Sequence, residues 1–181
     1  MAMTLITTNE PSGASNSAFT SSIDSTYKLY VIKWYDIHGS EDSASFQFNG
    51  SIDGGSNYNV TKTTTAFLAQ HNEDDSGYHL GYQTTLDIAQ GTGYQLLHQN
   101  LDGASSDGSG AGELFLFNPA STTYVKHFYG TTNTMYYDVS STYCVTFYYA
   151  GYFNTTDNID ALNFQMDSGT FDGTIKMYGV G

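Results

Sequence analysis

The sequence predicts an all-β protein built as an antiparallel β-sandwich, and three observations carry that expectation. The 181 residues include 19 Gly, 16 Tyr and 11 Phe but only two Pro. Aromatic residues with Thr and Val favour pleated, packed strands, whereas Gly, Asn, Asp and Ser favour the turns between them. Apolar residues also recur in short alternating runs, and no stretch shows convincing helical periodicity. Finally, Leu162, Phe164 and Met166 alternate with polar neighbours, as do Ile175 and Met177. Joined by the Gly/Asp-rich residues 167–173, these two runs read as a closing hairpin with one buried face. A chain of this length suits one domain and can bury roughly 70% of its unfolded surface, enough for a core without a disulfide or metal.

Residues 1–20 are rich in Thr, Ser, Asn and Gly, with Pro11, Ser12 and Gly13 set against any regular element. They are expected to form a flexible or extended N-terminal arm, leaving residues 21–181 as the single sandwich domain. Residues 27–37 (YKLYVIKWYDI) are apolar on both faces, interrupted only by Lys28, Lys33 and Asp36. Such a strand is buried on both sides or meets another subunit. Phe46, Phe48 and Ile52 alternate with polar residues, and residues 53–58 (DGGSNY) supply a turn. Residues 63–70 and 82–88 are weaker strand candidates, and residues 100–112 (NLDGASSDGSGAG) read as a long loop. Residues 114–117 (LFLF) stop at Asn118-Pro119, and further strands are expected over 124–129, 134–139 and 143–149. That makes roughly eight to ten strands, and about eight in two antiparallel sheets is the number a jelly roll requires.

Eighteen acids stand against five Lys, with no Arg, for a formal net charge of −13. Phosphate and base recognition lean on Lys and Arg, so nucleic acid is not an expected partner. An anionic membrane surface would repel the chain for the same reason, and no stretch is long and apolar enough for a transmembrane helix. The N-terminus lacks a basic region followed by an apolar run, so no signal peptide is expected and synthesis in the cytoplasm is.

Motifs that carry chemistry are sparse. Cys144 stands alone in an apolar strand and reads as a small strand residue, not a nucleophile. His38, His71, His79, His98 and His127 show no metal-ligand spacing and read as surface or strand-edge residues. Gly108, Gly110 and Gly112 resemble a dinucleotide loop only superficially, because no helix follows. Paired carboxylates of a glycosidase cannot be nominated among 18 acids. Residues 53–57, Glu73-Asp74-Asp75, and Asp102 with Asp107 could face a cation, but none has the spacing of an EF-hand loop, and they read as solvated turns. Asn49, Asn59 and Asn154 begin formal glycosylation sequons. The expectation is a protein that is not an enzyme and needs no cofactor or metal.

A set of short segments, in order, resembles a pattern in virion proteins of tailed phages, marine ones especially: residues 23–27 (IDSTY) leading to Tyr30 and Ile32, residues 53–58, residues 112–119 (GELFLFNP) and residues 173–179 (GTIKMYG). The resemblance spans about residues 19–181, each element being short. It implies a jelly-roll-like sandwich on the exterior of the particle, as a capsid decoration (cement) protein or a fibre module. It offers no catalytic residues, and the absence of Arg departs from the pattern.

Sixteen Tyr exceed what a sandwich core readily holds, so several are expected to face a partner; the alternative is that they decorate exposed strands. On the strand over residues 27–37, Tyr30, Ile32 and Trp34 share one face and Tyr27, Leu29, Val31, Tyr35 and Ile37 the other. Leaving either face in water costs roughly 1.5–3 kcal/mol per large side chain. Tyr30, Ile32 and Trp34 are therefore the candidate interface between identical subunits, the alternative being a covering segment of the same chain. The expected function is a capsid decoration protein binding the major capsid protein as a homo-oligomer, a trimer foremost. The alternative is a head- or tail-fibre module recognising host surface glycans.

Overall fold

A computed structural model of the chain describes residues 2–103, 107–138 and 141–181. Met1 of the expected arm, residues 104–106 of the expected loop and Val139 of an expected strand lie outside them. The described residues form twelve strands: β1 (Met3–Asn9), β2 (Asn16–Phe19), β3 (Leu29–Gly39), β4 (Phe46–Ser51), β5 (Lys62–Asn72), β6 (Tyr78–Tyr82), β7 (Gln95–His98), β8 (Gly110–Phe117), β9 (Lys126–Asp138), β10 (Ser141–Phe153), β11 (Ala161–Met166) and β12 (Phe171–Val180). All pairings between them are antiparallel. An eight-stranded sheet runs β1-β12-β3-β8-β9-β10-β5-β6, and a four-stranded sheet runs β2-β11-β4-β7. The chain crosses repeatedly between them, so neither sheet could form from one contiguous stretch.

The expected all-β antiparallel sandwich is what the structure shows. Phe164 on β11 stands in the middle of its core, with ring centroids 5.9 Å from Phe46, 6.0 Å from Phe48 and 6.1 Å from Trp34. Trp34 lies on the large sheet, so these rings join the two layers, as do Phe48 and Phe128 at 5.2 Å. Aromatic contacts of this kind add about 0.5–1.5 kcal/mol each beyond burial.

The N-terminal arm requires correction. β1 pairs with β12 along Met3–Asn9, and β2 pairs with β11 along Asn16–Phe19, so this segment contributes an edge strand to each sheet. Phe19 is buried in the core. Both partners come from the far end of the chain, a contact that local composition does not register.

The expected closing hairpin also requires correction: β11 pairs with β2 and β4 in the small sheet and β12 with β1 and β3 in the large one, so residues 167–173 cross between the layers and do not turn back within one sheet. Other departures have local causes. β6 occupies Tyr78–Tyr82, not residues 82–88, and β7 lies where no strand was expected. β8 starts at Gly110, inside the expected loop, and Leu101 in that loop is fully buried. In β3 the register against β8 shifts between Trp34 and Ile37, where Asp36 takes φ 56°. Asp is among the few non-Gly residues that tolerate this left-handed region. The bulge turns Ile37 onto the core face with Trp34, reversing its expected side. Opposite, Gly173 has φ 143°, and a Cβ there would lie 2.7 Å from Ile37 Cδ1, so only Gly fits.

Candidate binding surface

Tyr30, Ile32 and Trp34 are not an interface: all three are essentially inaccessible and lie in the core beneath the small sheet. The Tyr30 hydroxyl donates to the Asp24 carbonyl at 3.1 Å and accepts from the Asp24 amide at 3.0 Å, so it is buried with its partners. Both faces of β3 are apolar because one faces the core and the other is flanked in register by Tyr178 and Phe115, which leave Val31 only 2% exposed. Burial within the chain accounts for this triplet, and the expected subunit contact there is corrected.

Exposed apolar area lies on the outer face of the large sheet. Register sets Leu5, Tyr178, Val31, Phe115 and Tyr129 side by side on β1, β12, β3, β8 and β9. One diagonal step onward, Tyr148, Phe67 and Tyr82 continue the row across β10, β5 and β6. Seven steps between strands make this apolar row about 34 Å long. Two cross-strand pairs stack within it: Phe115 on Tyr129, with centroids 4.9 Å apart, and Phe67 on Tyr148, at 4.8 Å. Tyr129, Tyr148 and Phe67 nevertheless stay 40–48% exposed.

The row has one gap. Across from Tyr129, β10 presents Ala150, so one face of the Tyr129 ring meets Phe115 and no ring stands opposite on β10. A cleft of about 360 Å³ opens here, lined by Thr63, Thr65, His127, Tyr129, Ala150 and Tyr152 among others. A smaller cleft of about 190 Å³ adjoins it towards Phe67 and Tyr148, sharing Thr65, Tyr129 and Ala150. On the other side a cleft of about 570 Å³ between Phe117, Tyr124 and Thr156 shares His127. The three run together as a groove along the outside of β9, and no Asp, Glu, Lys or Arg lines any of them.

Beneath the groove, glycine lets a large ring pack inward. Tyr149, opposite Gly130, sends its hydroxyl to the Glu113 carbonyl on β8 at 3.0 Å. A Cβ on Gly130 would overlap both that carbonyl and the Tyr149 hydroxyl. Burial raises the Tyr149 hydroxyl far above its ordinary pKa of 10.0, so it stays a protonated donor.

The large sheet also has two open edges. β6 carries Tyr78, 86% exposed, and Leu80, 72% exposed, and contains no charged residue or Pro. At the far edge, Met3 and Leu5 on β1 are about half exposed, again with no charge in the strand. Natural edge strands are commonly guarded by Lys, Pro or bulges against pairing with another chain. β1 has only a register shift between Leu5 and Thr7.

The remaining candidates resolve one by one. Asp53 accepts hydrogen bonds from Ser51 Oγ, the Asn57 amide and Asn57 Nδ2 at 2.7–2.9 Å, which hold its carboxyl down to about 2. Its loop is thus closed by its own donors. Asp74 likewise accepts from the Ser76 amide at 3.0 Å. Among the described residues no group of three or more His, Cys, Asp or Glu could hold a metal ion. Asn49 is fully buried and donates to the Tyr58 and Thr92 carbonyls, which removes it as a glycosylation acceptor. Cys144 is exposed on β10. His71, His79 and His127 are exposed and His38 is half-buried, but His98 is fully buried and corrects the surface reading for that residue.

Thr63, Thr65, Phe67, His127, Tyr129 and Tyr148 lay within strands already expected, whereas Ala150 and Tyr152 fell past the end of the expected 143–149 strand, which continues to Phe153; shared parity was the available signal. Thr63, Thr65 and Phe67 alternate on one strand, and Tyr148, Ala150 and Tyr152 on another. What joins them is the register of β5, β10 and β9, which no local pattern specifies. Comparison with known proteins returned neither a matching family model nor a matching curated protein.

Proposed function

We propose that the chain is a non-enzymatic virion structural protein, a decoration (cement) protein that binds the outer shell of a phage particle beside the major capsid protein as a symmetric oligomer. The observation that carries the assembly reading is the pair of open edges on the large sheet, β1 and β6, neither of which carries a charge or a Pro. Each offers a row of free backbone donors and acceptors flanked by exposed apolar side chains, the arrangement that adds a strand from another chain. Pairing β6 of one copy with β1 of the next is a heterologous contact, which closes into a ring when the rotation permits, and a trimer is the expected size.

The particle and its exterior rest on the sequence resemblance described above. The strand order supports the jelly-roll-like part of the proposal. Counting the meander β8-β9-β10 as one position, β2 to β11 fill eight positions divided between the sheets, with β1 and β12 added outside. A second reading, a fibre or receptor-binding module that recognises host glycans, is favoured by the ring-lined groove.

Light scattering of the purified chain tests assembly, and Leu80→Lys places a charge on the open edge. The expected result is an oligomer that the substitution converts to a folded monomer. A wild-type chain that stays monomeric at tens of micromolar, or a variant oligomer of unchanged size, overturns the edge contact. Quantitative mass spectrometry of purified particles tests location. Many copies per head support decoration; a few copies at the tail support the fibre reading; absence from particles refutes both.

A further inference from the structure

We propose that the groove along the outside of β9 is a binding site for a neutral oligosaccharide, with one sugar ring seated over Ala150 against the free face of Tyr129. This names the ligand class and site of the second reading above and rests on that reading only for its biological setting, since binding is measured on the chain alone.

Three properties of the groove select the ligand. Its walls are aromatic: the Tyr129 ring is fixed by stacking on Phe115 and Phe117, at 4.9 and 5.6 Å, and Tyr152 is braced by His127 at 5.9 Å. Rings held by neighbours offer flat apolar area with little conformational entropy to lose, suited to the C–H face of a pyranose. Polar groups sit between the rings: hydroxyls of Thr63 and Thr65 and the imidazole of His127 line the same cleft as Tyr129. The Thr63 hydroxyl already accepts from Gln90 Nε2 at 2.7 Å, so its own proton remains for an external acceptor. A small-molecule site combines apolar walls with a few such groups, in a volume of roughly 300–1,000 Å³. The central cleft, about 360 Å³, suits one or two sugar units, and its neighbours on either side extend the site.

Charge decides between classes of glycan. The lining carries no carboxylate, Lys or Arg, within a chain of formal net charge −13. An uronate, sulfated or phosphorylated chain would meet repulsion and find no cationic partner, whereas a neutral chain meets neither. Ala150 is the specificity-determining position: its small side chain leaves the gap, and a larger one closes it.

The test is isothermal titration calorimetry of the full chain with laminarihexaose, cellohexaose and mannohexaose, and with hexagalacturonate as the anionic probe. At least one neutral hexasaccharide should bind with a micromolar to low-millimolar Kd, and hexagalacturonate should bind at least about tenfold more weakly. Ala150→Leu and Tyr129→Ala should each weaken binding about tenfold or more while circular dichroism and thermal midpoint show a folded chain. Leu80→Lys, on the open edge outside the groove, should leave binding unchanged. No binding by any neutral probe, equal binding of the anionic one, or affinities untouched by both groove variants would overturn the assignment. Groove variants that change oligomeric size instead would mark a contact between copies and also overturn it. None of these failures bears on the assembly reading, which the edge variant and particle copy number test separately.

Discussion

Acid should destabilise this protein through one residue, His98. Its ring stacks on Phe46 with centroids 5.6 Å apart and is fully buried, and neither ring nitrogen has a hydrogen-bond partner among the described residues. Gly110 packs close, since a Cβ there would lie 3.3 Å from Nε2. Burial with no compensating charge holds the imidazole down to about 3, against an ordinary 6.5. The folded state thus binds this proton less readily than the unfolded chain. Its effect is absent above pH 6.5, and stability falls as pH drops below that value. Each pH unit in the window costs about 1.4 kcal/mol, so the loss reaches about 2.7 kcal/mol at pH 4.5 and about 4.4 kcal/mol at the folded pKa.

A loss of that size matters for a domain whose total stability is on the order of 5–15 kcal/mol. Carboxylates lowered by hydrogen bonds, Asp24, Asp53 and Asp74 among them, lose their contributions only as pH falls through and below the ordinary 3.8, leaving the window from 6.5 to about 4.5 to His98. Urea unfolding of the wild type and His98→Leu, measured from pH 7.5 to 4.5, checks the reasoning. The two free energies should diverge as pH falls, by about 2.7 kcal/mol at the acid end, with the variant more stable. Parallel curves over that range would refute the account, because a constant offset is what simple repacking gives.

Three further outcomes follow from the same packing. Lys62 is buried with its ammonium donating to the Gly93 carbonyl, and burial lowers its pKa to about 8 from 10.5. Stability should therefore rise between pH 8 and 10.5, and Lys62→Met should flatten that rise in urea unfolding and stabilise the fold at pH 7 by about 1–3 kcal/mol. Gly130→Ala should cost about 3 kcal/mol or more in thermal unfolding, because the added methyl overlaps the Glu113 carbonyl and the Tyr149 hydroxyl. Deleting residues 2–20 removes β1, β2 and the buried Phe19, so the truncated chain should lose its cooperative thermal transition; a sharp transition at the full-length midpoint would show those strands to be dispensable.

How much was legible in the sequence depended on how far apart the partners lie. Period-two alternation of apolar with polar residues located β4, β11 and the end of β12, although the polar Asn49 on β4 and Asn163 on β11 are buried as well. The two strands of the N-terminal segment were read as an arm because Thr, Ser and Asn dominate them; their pairing with β12 and β11 is decided some 150 residues away. β3 showed the opposite failure. Apolar residues on both faces suggested a second subunit, yet neighbouring strands of the same sheet shelter Val31, and a bulge at Asp36 exchanges the side of Ile37.

The candidate binding surface was hidden for a related reason, and its position follows from the architecture. Eight strands face four, so the large sheet presents far more outer surface than the small one, and Tyr is the residue that occupies it. Stacked pairs such as Phe67 with Tyr148 exist only once β5 and β10 are in register, which composition could suggest as a surplus of Tyr but not locate. The same register that puts rings side by side puts Ala150 beside Tyr129, so the gap in the row and the row itself have one origin. An exposed aromatic row with no charge in it, on a chain of net charge −13, is costly to leave in water, roughly 1.5–3 kcal/mol for each large side chain that a partner could cover. Edges that offer backbone hydrogen bonds and a groove that offers ring faces and hydroxyls are different kinds of complementarity. In the proposed reading, a single β-sandwich holds its neighbours through its edges while its outer face stays open to a ligand.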